Sequence, residues 1–188
     1  MATILSVSGS PSATSRTAGL LRHLAARFAA RGHLAVPLDV RTLPARALLG
    51  ADFGHPGIVR ARELFEAADG VVVATPVYKA AYSGLLKSLL DLLPQDALAG
   101  RTVLPLATGG STAHTLAVDY ALRPVLSSMS AEHVVRGAFV LDRHIGMRDD
   151  GSVVLDEAAR AGLYDVADAF AAAVERAAAA APRVSSAV

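Results

Sequence analysis

Residues 71–75 read Val-Val-Val-Ala-Thr, a run of apolar side chains with no polar face. A strand built from such a run cannot leave one side in water, so it belongs at the centre of a parallel sheet with helices packed on both faces. The rest of the chain repeats that arrangement. Strands are predicted over residues 3–8, 34–38, 71–75, 102–107 and 132–140. They alternate with helical periodicity over residues 17–31, 57–68, 83–92, 112–127 and 155–181, the fourth of these interrupted by Pro124. Residues 143–153, polar and carrying Asp149-Asp150-Gly151, read as a loop. Strands alternating with helices give the α/β class, here a doubly wound five-stranded parallel sheet of order 2-1-3-4-5. One domain over residues 1–182 is expected, with a frayed tail at 183–188.

Composition narrows the function. The 188 residues, 53% hydrophobic and 19% charged, suffice for one core-rich domain. A net charge of +1 with no basic block argues against nucleic acid as a partner. The absence of cysteine excludes a disulfide framework and thiol chemistry. The six histidines lack metal-ligand spacing, so no metal is expected. No signal peptide and no apolar run of about 18 residues can be read, so the expectation is a cytoplasmic protein with no membrane partner.

In a doubly wound sheet, ligands bind beyond the carboxyl ends of the strands, at the switch point between the first and third. Three loops should meet there. The first, Gly9-Ser10-Pro11-Ser12-Ala13-Thr14-Ser15-Arg16-Thr17, is rich in hydroxyls and leads straight into a helix. Backbone N–H groups and the dipole at a helix start favour an anion, so this loop suits the phosphate of a mononucleotide such as FMN. It matches neither the dinucleotide nor the P-loop fingerprint, and an ordinary strand-to-helix turn with an N-cap serine would read similarly. The second loop, Thr75-Pro76-Val77-Tyr78-Lys79-Ala80-Ala81-Tyr82-Ser83-Gly84, places Tyr78 and Tyr82 at the rim. There they either flank a flat aromatic ligand or cover the sheet, and Lys79 reads as solvated rather than catalytic. In the third, Thr108-Gly109-Gly110-Ser111, paired glycines allow a ligand close to the backbone. His114 reads as a helix cap or a proton donor. Pro124 forces an accommodation near Tyr120, where a π-bulge or a simple kink would serve.

These segments resemble the NADPH-dependent FMN reductases of flavodoxin-like fold, most closely the reductase component of two-component alkanesulfonate monooxygenase systems. The second loop carries the most specific part of the likeness, which extends over roughly residues 3–140. The resemblance implies hydride transfer from NADPH or NADH to FMN, with reduced flavin passed to a flavin-dependent monooxygenase in sulfonate-type sulfur metabolism. It implies that Ser10, Ser15 and Thr17 hold the phosphate, with Arg16 nearby and Ser12 in the same cofactor-binding loop, that Pro76, Val77, Tyr78 and Lys79 border the ring, and that Thr108, Gly109, Gly110 and Ser111 close the other side. Tyr120, the one candidate catalytic side chain, matches a tyrosine in a π-helical insertion near the flavin at a subunit interface, in a homotetramer built as a dimer of dimers. One departure is that Ser12 stands where the family pattern has an arginine. An FMN-bound quinone or azo reductase and a flavodoxin-type electron carrier are the competing readings.

Overall fold

The computed structural model describes residues 1–180; the expected tail at 183–188 lies outside the described residues. The chain opens with β1 (Thr3–Ser8), α1 (Arg16–Ala30) and β2 (Leu34–Asp39). A 3-10 turn (Val40–Thr42) then leads to α2 (Ala45–Leu49), α3 (Pro56–Glu66), β3 (Gly70–Tyr78), β4 (Ala81–Tyr82) and α4 (Gly84–Leu90). β5 (Thr102–Gly109) follows, then a 3-10 turn (Thr112–His114), a π-helix (Val118–Leu122), α5 (Arg123–Ser128), β6 (His133–Val134) and β7 (Ala138–Leu141). A last 3-10 turn (Asp142–His144), β8 (Ile145–Met147), β9 (Val153–Leu155) and α6 (Glu157–Ala180) end the described chain.

The main sheet runs β2-β1-β3-β5-β6, with β4 on β3 and β7 on β5. All pairings are parallel except β3 with β4. The doubly wound α/β architecture is as the sequence implies, but the strand count differs from the expected five. The fifth strand is split: Val103 pairs with Val134, whereas Leu106 pairs with Ala138, so one extra residue is accommodated between β6 and β7. Val135 N–H donates to the Val103 carbonyl. Two residues on, Pro105 faces the same neighbour and has no N–H to offer, which leaves the ladder open where the bulge forms.

The apolar run in β3 divides its side chains between two cores, as alternation requires. Val72 and Ala74 pack with Ile4, Leu104 and Leu106 beneath Leu20, Leu24 and Phe28 of α1 and Phe170 and Val174 of α6. Val71 and Val73 pack with Leu5, Val7 and Val103 beneath Ile58 and Phe65 of α3 and Leu86 and Leu89 of α4. Fully burying one such side chain stabilises by about 2 kcal/mol, so this double coverage holds the sheet.

The loop expected over 143–153 contains an antiparallel hairpin instead, β8 with β9. Its strands are three residues each and bury Ile145, Val153 and Leu155 into the first core. Gly19 of α1 permits the approach, because a Cβ there would collide with the Val153 side chain. The helical pattern expected over 112–127 resolves into a 3-10 turn, a π-helix and α5. Pro124 lacks the N–H that a regular helix would direct to Tyr120, and the preceding turn widens accordingly.

Candidate functional site

At the carboxyl ends of β1, β3 and β5 the three loops converge on a cleft of about 180 Å³. Gly9 is the pivot of the first. Its N–H donates to the Ala74 carbonyl at 2.8 Å, and its own carbonyl accepts from Ser83 Oγ at 2.5 Å. A Cβ on Gly9 would lie 2.7 Å from Leu86 Cβ, so only glycine lets the loop dock on α4. Ser83 also caps α4 through Leu86 N–H and donates its own N–H to Thr75 Oγ1 at 2.9 Å. One serine thus fastens the first loop to the second.

Beyond Gly9 the loop turns into α1. Ser15 is the N-cap, its Oγ accepting from Ala18 N–H at 3.1 Å. Ser10 Oγ accepts from Ser12 N–H at 3.3 Å. In both cases the oxygen lone pair is used, and the O–H hydrogen is left to donate elsewhere. The Arg16 and Thr17 N–H groups belong to the first turn, where a helix offers no internal acceptor. That turn contains no acidic residue. Thr17 Oγ1 and Thr108 Oγ1 are 2.7 Å apart, which ties the first loop to the third. Arg16 Nε donates to the Ile145 carbonyl at 3.4 Å and the side chain also lines the cleft.

The cleft is lined by Ser10, Ser12, Ser15, Arg16 and Thr17, by Pro76, Val77 and Tyr78, and by Thr108, Gly109 and Gly110. Of the residues the sequence reading assigned to FMN, only Lys79 and Ser111 stand outside that lining. Lys79 and Ala80 form the tip of the β3–β4 hairpin, with φ of 50° and 64°. This is a two-residue turn of the type that fits hairpin twist, normally built from Asn or Gly. Forcing ordinary residues into it costs about 1 kcal/mol each. The turn separates the two tyrosines: Tyr78 is half exposed beside the cleft, whereas Tyr82, expected at the rim, packs against the second core. Ser111, rather than His114, caps the turn that follows, accepting from Ala113 N–H at 3.2 Å.

Two further residues line the cleft: Thr14, which the sequence offers only as one of the first loop's hydroxyls, and Asp142, which it does not mark out. Thr14 adds a hydroxyl, and Asp142 brings the only carboxylate in the lining. Asp142 follows directly on β7, so the strand-end rule that selected the other loops also covered this one. Tyr120 sits in the π-helix with 79% of its surface exposed, next to Leu116 at 61%. Neither lines the cleft within the chain.

The chain is similar to several known proteins. Residues 2–145 match the family model described as NADPH-dependent FMN reductase. An FMN reductase (NADPH) from Pseudomonas putida is 44% identical over 92% of this chain and 88% of its own length. One from Escherichia coli K12 is 45% identical over 76% of this chain and 74% of its own. Among solved structures, the apo form of an NADH:FMN oxidoreductase superposes with a TM-score of 0.83 at 41% identity, covering 92% of this chain and 90% of that one.

Proposed function

The chain belongs to the NADPH-dependent FMN reductase family, and from that premise we propose that the three-loop cleft holds FMN with its phosphate on the start of α1. The protein is an NAD(P)H-dependent FMN reductase. FMN, when bound, supplies the acceptor for a hydride from a reduced nicotinamide. The chain's own contribution is binding and orientation.

One observation supports the placement above the others. The donors left free at the cleft, the hydroxyls of Ser10 and Ser15 and the first-turn N–H groups of Arg16 and Thr17, all lie at one end and face no carboxylate of their own turn. Such a set matches a phosphate. Arg16 adds charge, which offsets the serine at position 12 where the family pattern carries arginine. Asp142 can only accept, so it suits the hydroxyls of the ribityl chain. At the other end, Pro76 to Tyr78 and the Gly109-Gly110 backbone offer a flat surface for the isoalloxazine ring. The test is steady-state oxidation of NADPH or NADH with and without free FMN. FMN-dependent turnover supports the reading; its absence refutes it.

The exposed Leu116 and, one turn on in the π-helix, the exposed Tyr120 form an apolar patch suited to a second subunit in a homotetramer, which would cover the mouth of the flavin site. Tyr120→Ala is expected to shift the sedimentation profile to smaller species while leaving the far-ultraviolet spectrum unchanged; an unchanged profile refutes this assignment. Reduced FMN released from the cleft would serve a flavin-dependent monooxygenase of sulfonate-type sulfur metabolism, a role that follows from the family resemblance.

A further inference from the structure

A second cavity, about 580 Å³, lies between α1, the β8–β9 hairpin and the first turns of α6. Arg22 comes from α1, Arg148 from the hairpin and Arg160 from α6, and all three line it. Arg22 Nη2 donates to the Gly151 carbonyl at 2.8 Å, which fixes its guanidinium at the rim and leaves its other donors free. None of the three arginines joins an ion pair among the described residues. The lining holds one carboxylate, Asp150, which accepts from Ser152 N–H at 2.8 Å. Three guanidinium groups against one carboxylate leave an excess of two positive charges. His23, also in the wall, has its pKa lowered by burial and then by the Arg27 charge, which disfavours a further positive charge there. Its ring stacks on Tyr164 at 5.8 Å between centroids and 10° between planes, giving the cavity a flat aromatic side.

A dianion beside an aromatic group is the ligand chemistry such a wall selects, and planar guanidinium forks suit a phosphomonoester. The cavity is also coupled to the flavin cleft. Arg16, which lines the cleft, shares a helix face with Gly19, His23 and Ala26 of the cavity. Arg22 follows Arg16 by six positions, about 9 Å along the helix axis. Arg16 also bonds to Ile145, where the hairpin begins. The cavity therefore lies less than two turns of α1 from the phosphate end of the cleft.

We infer that the Arg22–Arg148–Arg160 cavity binds the 2′-phosphate of NADPH, and that it makes this chain select NADPH over NADH. The inference rests on the reading of the cleft as the flavin site. It is tested by titrating the full chain with adenosine 2′-monophosphate and, separately, with inorganic phosphate, and by measuring kcat/KM for both coenzymes in the wild type and in Arg148→Ala/Arg160→Ala. The wild type should bind the 2′-nucleotide more tightly than phosphate, with affinity that falls as salt rises. The double variant should bind it at least about tenfold more weakly, and its NADPH-to-NADH ratio of kcat/KM should fall by a similar factor, through KM. Lysine at both positions should restore part of the loss. Equal affinities in wild type and variant, an unchanged ratio, a wild-type preference for NADH, or phosphate binding as tight as the nucleotide would each overturn the proposal. If neither coenzyme is oxidised with FMN, the reading of the cleft fails, and the nucleotide titration alone decides the cavity.

Discussion

The two ends of α1 carry similar residues in opposite states. At its carboxyl end every charge is engaged by α6. Arg27 forms two bonds to Asp168, at 2.8 and 2.5 Å, and lies 4.0 Å above the Tyr164 ring. Arg31 donates to Glu175 at 3.1 Å, and His33 Nε2 meets the same carboxylate at 2.9 Å. At its amino end Arg16 reaches a single carbonyl, Ser10 and Ser15 accept only backbone N–H groups, and no carboxylate lies in the first turn. One end is a seam in which side chains of the two helices pair, with His33 Nδ1 left without a partner among the described residues. The other holds donors left free within the described chain. Paired surface charges of the first kind contribute little to stability, while unpaired donors of the second kind are what an anion requires.

The comparison breaks most severely at Gly9. Gly9→Val forces side-chain atoms into Leu86 and separates the first loop from α4. A loss of about 3 kcal/mol in urea unfolding is expected, together with loss of FMN binding, since overpacking at a closed contact costs this order. Stability close to the wild type would show that the loop docks in some other way. Arg16→Ala separates binding from folding. The Kd for FMN is expected to rise about tenfold as a charge-assisted contact is lost, with the urea midpoint unmoved. A shifted midpoint with unaltered affinity would place Arg16 in the structural class with Arg27.

The smallest effect belongs to the seam. Asp168→Asn removes a pair whose side chains are about one-third exposed, 33% and 39%, so a loss below about 1 kcal/mol is expected, with FMN affinity unchanged. Acid should show the same seam. The bond from Arg27 holds the Asp168 carboxyl below its ordinary range, and bonds from Arg31 and then His33 do the same for Glu175. A carboxylate whose pKa is lowered by folding stabilises fully above its unfolded value, about 4, and loses that contribution as pH falls through the folded value. Thermal unfolding between pH 5 and pH 2 (about the range over which such groups titrate) should therefore cost the wild type more than Asp168→Asn. Identical pH profiles would remove the seam from the account.

Much of the amino end was legible because its signals are local. Hydroxyls crowd residues 8–17, glycines pair at 109–110, and the strand-end rule places both loops at one point. Pro124 announced a disturbance near Tyr120, and a π-helix occupies Val118–Leu122. What escaped the sequence depends on tertiary contact. The β8–β9 strands are too short to show a period, and each is held by a few residues buried against α1 and α6. Tyr78 and Tyr82 look equivalent until a turn of Lys79 and Ala80, with none of the usual turn residues, sends one to the cleft and the other inward. Asp142 reaches the cleft because the split fifth strand runs on to Leu141 beside Gly109, a register that no single segment specifies.

The central claim is that α1 begins at the phosphate end of a flavin site. Its most direct test is a fluorescence titration of the apo-protein with FMN and with riboflavin, which differ only in that phosphate. The account predicts FMN to bind at least about tenfold more tightly than riboflavin, in line with several charge-assisted contacts to one dianion. Equal affinities for the two flavins would contradict it.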